Sequence, residues 1–77
     1  MSENILDCRD QKCPMPIMNL ARTVRAMEKD EIVKILSNDI AFPKDVEAWC
    51  QMTNHVLESL TQDGDLSTAI IKLKGLN

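Results

Sequence analysis

Apolar residues recur along this chain with two different periods, which predict strands and helices in alternation. Residues 4–9 alternate loosely, with Leu6 and Cys8 on one face, and predict a first strand. Residues 31–37 are largely apolar on both faces, as expected of an inner strand that is covered by other elements. Residues 68–74 alternate again and predict a last strand with a basic outer edge.

Two longer segments show the 3.6-residue period of an amphipathic helix. The first helix follows Cys13, and its apolar stripe consists of Ile17, Leu20, Ala21, Val24 and Met27. The second is predicted over residues 45–60, with Cys50 in the middle of its apolar stripe and His55 on its polar, solvated face. A short strand at residues 57–62 competes with the end of that helix, before the hairpin-type turn Asp63-Gly64-Asp65.

The predicted order is therefore strand, helix, strand, helix, strand, strand. This order favours an α+β fold, a two-layer α/β sandwich in which both helices pack on one face of a mixed four-stranded sheet. The first two strands should be parallel with a right-handed crossover, and the last two antiparallel. A chain of 77 residues is expected to form one domain, residues 1–77.

The turn Cys13-Pro14-Met15-Pro16 opens the first helix. Proline is best tolerated at the first helical position, which would make Pro14 that position and Cys13 the N-cap. The amides of Met15 and Ile17 would then be free to donate, and the positive end of the helix would lower the pKa of the Cys13 thiol. The alternative is a buried cysteine that caps a helix without any chemistry.

Nearby charges would act on this thiol in both directions. Lys12 and Arg9 would lower the pKa of Cys13 further, whereas Asp7 and Asp10 would raise it.

The exposed flank of the first helix carries a second candidate feature, which we call the docking ridge: Met15, Met18, Arg22 and Arg25. Methionine beside arginine is typical of adaptable contact surfaces, and this ridge begins next to Cys13. Together with Pro14 and Pro16, it is the predicted partner-binding surface. The alternative interpretation is an ordinary solvated face whose basic residues complement the negative end of the helix.

Composition excludes several classes of protein. The net charge of -3 provides no global basic field for nucleic acid, although a local basic patch is still permitted. No apolar run is long enough to span a membrane and the N-terminus has no signal-peptide form, so a cytoplasmic protein is expected. Three cysteines describe neither a disulfide framework nor a zinc site. We expect reduced thiols, no metal, no cofactor and a monomer.

Several of these motifs together resemble one family, the TusA-like (SirA-like) sulfur-carrier proteins. The resemblance covers residues 4–74 and is carried by Leu6-Asp7-x-Arg9, Cys13-Pro14-x-Pro16, Arg22, Arg25, Asp39, Trp49-Cys50 and Asp63-Gly64. It implies that Cys13 carries sulfur as a persulfide, taken from a cysteine desulfurase or a rhodanese-type donor and passed to an acceptor protein. Acceptors in the family serve tRNA 2-thiouridine synthesis, molybdenum-cofactor metabolism or sulfur oxidation.

The chain departs from the family pattern at two places. It has Asp10-Gln11 where the family usually has Gly-Leu, and Cys8 where a small residue without a thiol is more usual. Glycine adopts a positive φ freely, whereas aspartate does so at some cost. These departures bear on the partner and the pathway, and on how the connector reaches Cys13.

A single activated thiol, with no second catalytic group in a recognisable pattern, suits a carrier that needs partner proteins better than a self-sufficient enzyme. Two other classes stay open. One is a dithiol redox protein that uses Cys8 and Cys13, and the other is a module that binds RNA or protein through its basic flank without sulfur chemistry.

Overall fold

The computed structural model describes residues 3–74, with side chains from residue 4 onward. Six elements form in the predicted order: β1 (Glu3–Asp7), α1 (Met15–Arg25), β2 (Ile32–Ser37), α2 (Phe42–Thr53), β3 (Val56–Asp63) and β4 (Leu66–Lys72). The predicted α+β class is confirmed.

The strands form one mixed sheet in the order β1-β2-β4-β3. β1 pairs with β2 in parallel, and β4 pairs antiparallel with both β2 and β3, as predicted. The middle of the sheet is marked by Ile35 of β2, which lies opposite Leu6 of β1 and Ala69 of β4. β2 is an inner strand of the sheet, but only its core face is buried, and Ile32, Lys34 and Leu36 on the other face are half-buried. The prediction of a strand covered on both faces is therefore wrong.

The core lies between one face of the sheet and the two helices. Val33 and Ile35 of β2 and Ile71 of β4 are fully buried on that face. The helices complete the core with Leu20, Val24, Phe42, Val46 and Cys50. The other face of the sheet is open to solvent, since Ile5 of β1 is 63% exposed. Within residues 3–74, neither helix has the length and apolarity needed to span a membrane.

Of the two predictions for this segment, the helix that continues to residue 60 is wrong, and the competing strand at residues 57–62 is confirmed by β3. α2 stops at Thr53 because Asn54 adopts the left-handed conformation, with φ at 66°, and the chain continues as β3. Leu57 and Leu60 both pack against the core although they are three residues apart. A β-bulge between Leu57 and Ser59 puts them on the same side of the strand, and so their spacing imitates a helical stripe.

The prediction of a solvated His55 is also wrong, because the early end of α2 carries this residue into the interior. His55 is buried, and its Nδ1 accepts a hydrogen bond from the backbone N–H of Lys74 at 3.1 Å. Its ring lies tilted against Trp49, with centroids 5.3 Å apart. Burial holds the pKa of His55 below its ordinary value.

We therefore expect the protein to lose stability in mild acid. The unfolded chain takes up the proton on His55 first, so stabilisation is complete above about pH 6.5 and declines as the pH falls toward the lower pKa of the folded state. The free energy of urea unfolding should fall by at most about 1.4 kcal/mol per pH unit in this window. His55→Asn keeps an acceptor near Lys74 but cannot titrate, and should flatten the slope. An equal slope in the variant would contradict this assignment.

Candidate functional site

The site lies where the two parallel strands end. The carboxyl ends of β1 and β2 point to the same edge of the sheet, so the connector that follows β1 meets the loop that follows β2. The backbone N–H of Asp10 donates to Oδ1 of Asn38 at 2.8 Å, and Nδ2 of Asn38 donates to Oδ1 of Asp10 at 3.2 Å. This reciprocal pair ties the two loops together beside Cys13.

The two hydrogen bonds between Asp10 and Asn38 also explain why this chain can have an aspartate where the family usually has a glycine. Asp10 has φ at 69°, the left-handed region that glycine enters most easily. Aspartate tolerates this region when its short side chain finds a local hydrogen bond, and Asn38 provides one here. The connector therefore reaches Cys13 without the usual glycine.

The first helix begins at Met15, one residue later than predicted. Pro14 is the N-cap, Met15 is the first helical residue and Pro16 the second, so the prediction of Cys13 as N-cap is wrong. The N–H of Met15, expected to be free, donates to the carbonyl of Lys12 at 2.8 Å and closes the turn before the helix. The Cys13–Pro14 peptide bond is cis. Cys13 thus stands outside the helix, in the turn that precedes it.

The predicted partner-binding residues fall into two groups. The exposed residues are Pro14, Arg22 and Arg25. Met15 and Met18 are 39% and 43% exposed, although methionine is usually among the buried residues of a protein. Pro16 is fully buried, so it supports the turn from inside and cannot itself touch a partner in this conformation. The docking ridge is therefore one continuous accessible flank of α1 that ends at the Cys13 turn.

An open groove runs from Cys13 along the seam between α1 and α2. Its volume is about 310 Å³, and its lining is mostly apolar: Cys13, Pro14, Ile17, Asp45, Ala48, Trp49 and Met52. Cys13 itself is exposed at this groove. A sulfur atom added to the thiol would therefore have free space and an accessible approach.

The electrostatic setting of Cys13 is the reverse of the predicted one. The pKa of its thiol is raised, first because Asp45 accepts a hydrogen bond from it, then through partial desolvation and the negative charges of Asp45 and Asp39. Arg9, predicted to help lower the pKa, is engaged with Asp7 in a paired contact at 2.9 and 2.7 Å. The prediction of a thiol activated by the helix end is therefore wrong.

Sequence reasoning did not include Asp39 or Asp45 among the site residues. The available signal was their position: Asp39 lies two residues after the end of β2, and Asp45 lies in the first turn of α2. Loops that follow neighbouring parallel strands meet at one edge of a sheet, so the segment from Asp39 to the start of α2 could be expected near the connector that carries Cys13. The distances that decide the pKa of the thiol could not.

The other two cysteines do not share this surface. Cys8 is fully buried in the core, and Cys50 is 4% exposed, in keeping with its predicted place in the apolar stripe of the second helix. Burial raises the pKa of both thiols, to about 11 for Cys50. A dithiol pair of Cys8 and Cys13 would require the core to open, so the structure gives that alternative no support. Among residues 3–74, no cluster of three or more His, Cys, Asp or Glu side chains could hold a metal ion.

Comparison with known proteins agrees with the resemblance. Residues 4–73 match the family described as Sulfurtransferase TusA. A protein of Neisseria meningitidis serogroup A, named "Putative sulfur carrier protein", is 30% identical over 74 residues, which cover 96% of this chain and all of that protein. A protein of Archaeoglobus fulgidus that is also named "Putative sulfur carrier protein" is 29% identical, over 88% of this chain and 93% of its own length. A third protein with this description, YrkI of Bacillus subtilis, is 29% identical, over 84% of this chain and 87% of its own length. Because the match extends over nearly the whole chain, this protein belongs to the TusA sulfurtransferase family.

Proposed function

We propose that this protein is a sulfur carrier that holds sulfane sulfur as a persulfide on Cys13. The observation that supports this most directly is the contrast among its three thiols: Cys13 is exposed at an open groove, whereas Cys8 and Cys50 are buried. A relay needs one accessible sulfur atom and no competing thiol beside it.

Loading is an exchange between two sulfur compounds. The Cys13 sulfur attacks the outer sulfur of a donor persulfide, the new S–S bond forms, and the donor's own S–S bond breaks and leaves a donor thiolate. The proton lost by Cys13 balances the one taken up by that thiolate, and there is no net oxidation. In delivery, an acceptor thiolate attacks the outer sulfur, the S–S bond to Cys13 breaks, and Cys13 leaves as a thiolate that takes up the proton lost by the acceptor thiol.

The residues around Cys13 do not amount to a complete enzyme active site. The single histidine of the chain, His55, is buried and accepts a hydrogen bond from the backbone of Lys74, so it is not positioned as a base for Cys13. The negative charges of Asp45 and Asp39 raise the pKa of the thiol instead of lowering it. We infer that the donor and acceptor proteins complete the site when they dock.

The docking ridge is the surface we propose for that contact. Its two methionines offer flexible apolar surface next to the Cys13 turn, and its two arginines add positive charge farther along α1. A cysteine desulfurase or rhodanese-type donor with an acidic surface near its persulfide would fit this pattern. An acceptor of tRNA thiolation, molybdenum-cofactor metabolism or sulfur oxidation would use the same face after the donor leaves.

The proposal is tested by loading the protein and measuring its intact mass. After incubation with a cysteine desulfurase and cysteine, we expect a gain of one sulfur atom that dithiothreitol removes. A sample without the desulfurase is the control and should gain nothing. If the complete reaction leaves the mass unchanged with desulfurases and with a rhodanese loaded from thiosulfate, the proposed function is wrong.

A further inference from the structure

We propose that the pocket between the connector after β1 and the loop after β2, which we call the loop pocket, binds an arginine side chain of a protein that docks at Cys13, with the carboxylate of Asp39 as its receptor. This inference rests on the proposed function, because it names a feature of the donor and acceptor proteins that a sulfur carrier meets. The volume of the loop pocket is about 280 Å³. Its lining consists of Asp10, Gln11, Lys12, Asn38, Asp39 and Ile40.

The carboxylate of Asp39 is the group that carries the proposal. Its Oδ2 atom is fully buried and accepts no hydrogen bond, and within residues 3–74 no donor or cation pairs with either oxygen. Lys12 lines the same pocket but forms no ion pair with this carboxylate. Asp39 as a whole is half-buried, so a ligand in the pocket would lie against it. A partly buried charge without a partner is costly, and a cationic ligand would offset that cost.

Hydrogen bonds hold the walls of the loop pocket in place. The backbone N–H of Asp39 donates to Oγ of Ser37 at 3.2 Å, and the carbonyl of Asp39 accepts from the N–H of Phe42 at 3.1 Å. Ser37 and Phe42 are buried, so both bonds tie Asp39 to the core. On the connector side, Oε1 of Gln11 accepts from Nδ2 of Asn19 at 2.7 Å, and the reciprocal pair of hydrogen bonds joins the two loops. A receptor fixed in this way loses little freedom when it binds a ligand.

The lining favours arginine over other cations. Within residues 3–74 no set of three ligands could hold a metal ion, so the candidates are organic cations. Ile40, next to Asp39, is 94% exposed and offers apolar surface to the aliphatic stem of a long side chain. The planar guanidinium is more weakly hydrated than an ammonium and donates two parallel hydrogen bonds to one carboxylate, so it suits a half-buried receptor better.

The loop pocket adjoins the reactive thiol. Lys12, which lines the pocket, is the residue before Cys13, and the charge of Asp39 is one of the causes that raise the pKa of that thiol. A partner whose persulfide reaches Cys13 therefore brings its neighbouring side chains to the pocket. Because the docking ridge fits an acidic surface, we expect a partner that has both features, carboxylates that face α1 and an arginine that faces the loop after β2.

The pocket is tested with ethylguanidinium chloride, added at constant ionic strength while the backbone amide shifts are followed by NMR. We expect saturable shifts at Asp10, Asp39 and Ile40, and binding about 10-fold weaker in Asp39→Asn, which loses the charged acceptor. Asp65→Asn, in the exposed turn between β3 and β4, makes the same change in net charge and should bind as the wild type does. Shifts that do not saturate, or equal binding by Asp39→Asn, would overturn the proposal. Equal binding of ethylammonium chloride would overturn the choice of arginine.

A second measurement connects the pocket to docking. With a subsaturating donor, Asp39→Asn should slow the mass gain about 10-fold, because one charged hydrogen bond to the partner is lost. The loss of charge near Cys13 would by itself favour the thiolate and speed the reaction, so the two effects have opposite signs. Asp39→Ser is the second variant, and circular dichroism checks that both variants fold.

A mass gain in both variants that is as fast as in the wild type would overturn the role of the pocket in docking. Binding of ethylguanidinium needs no bound sulfur, so this result is independent of the mass gain that tests the carrier function. Saturable binding that depends on Asp39, in a protein that never loads, would retain the pocket and reject the function.

Discussion

Cys13→Ser should abolish the gain of one sulfur atom completely. A serine hydroxyl has the same shape but cannot form a persulfide, and no other thiol can take over because Cys8 is 0% and Cys50 4% exposed. The measurement is intact mass after incubation with a cysteine desulfurase and cysteine. The groove and the turn are retained in this variant, so the loss would report on chemistry and not on folding.

The matched controls are Cys8→Ala and Cys50→Ala, each of which removes a buried thiol without burying a new hydroxyl. Both should still gain one sulfur atom, although each removes core packing and should lower the free energy of unfolding by about 1 kcal/mol. Full loading of Cys13→Ser, or loss of loading in a folded Cys8→Ala protein, would show that the sulfur resides elsewhere.

Reversing the two charges of the docking ridge should slow sulfur transfer without unfolding the protein. Arg22 and Arg25 are exposed on α1, and nothing in the core depends on them. Complementary charge raises association rates about 10-fold or more, so Arg22→Glu with Arg25→Glu should slow transfer from a subsaturating donor by about that factor. The rate of transfer is measured from the time course of the mass gain.

The control for net charge is Lys34→Glu with Lys72→Glu, on the open face of the sheet and away from the groove. This pair makes the same change in total charge and should leave the transfer rate close to wild type. The difference between the two double variants should shrink as salt is added, because exposed charges are screened. Equal rates in both would remove the ridge from the proposed function.

The fold could be predicted from local pattern to a large extent. The strand and helix order, the parallel pairing of β1 with β2 and the final hairpin all follow from periodicity and turn residues. The helix prediction failed at residues 54–60, for two reasons that the hydrophobic pattern does not show. Asn54 ended the helix by adopting a positive φ, and the bulge near Leu57 gave a strand the apolar spacing of a helix.

The site was predicted less completely. The exposure of the ridge methionines and arginines follows from the amphipathic spacing of α1, and the structure has them at the surface. The electrostatics could not be obtained in the same way, because the sign of a pKa shift depends on distances between residues far apart in the sequence. Asp45 raises the pKa of Cys13, which is the opposite of the predicted shift, although Asp45 is far from Cys13 in the sequence.

By itself, the sequence determined which residues are apolar at which period, where prolines confine the chain, and which cysteine stands in a turn, because these are properties of neighbouring residues. Only the tertiary structure decided that the exposed thiol faces Asp45, that Cys8 is sealed in the core and that His55 is buried. Burial and charge proximity arise when distant segments pack together, and here the parallel pairing of β1 and β2 brings the two loops of the site to one edge.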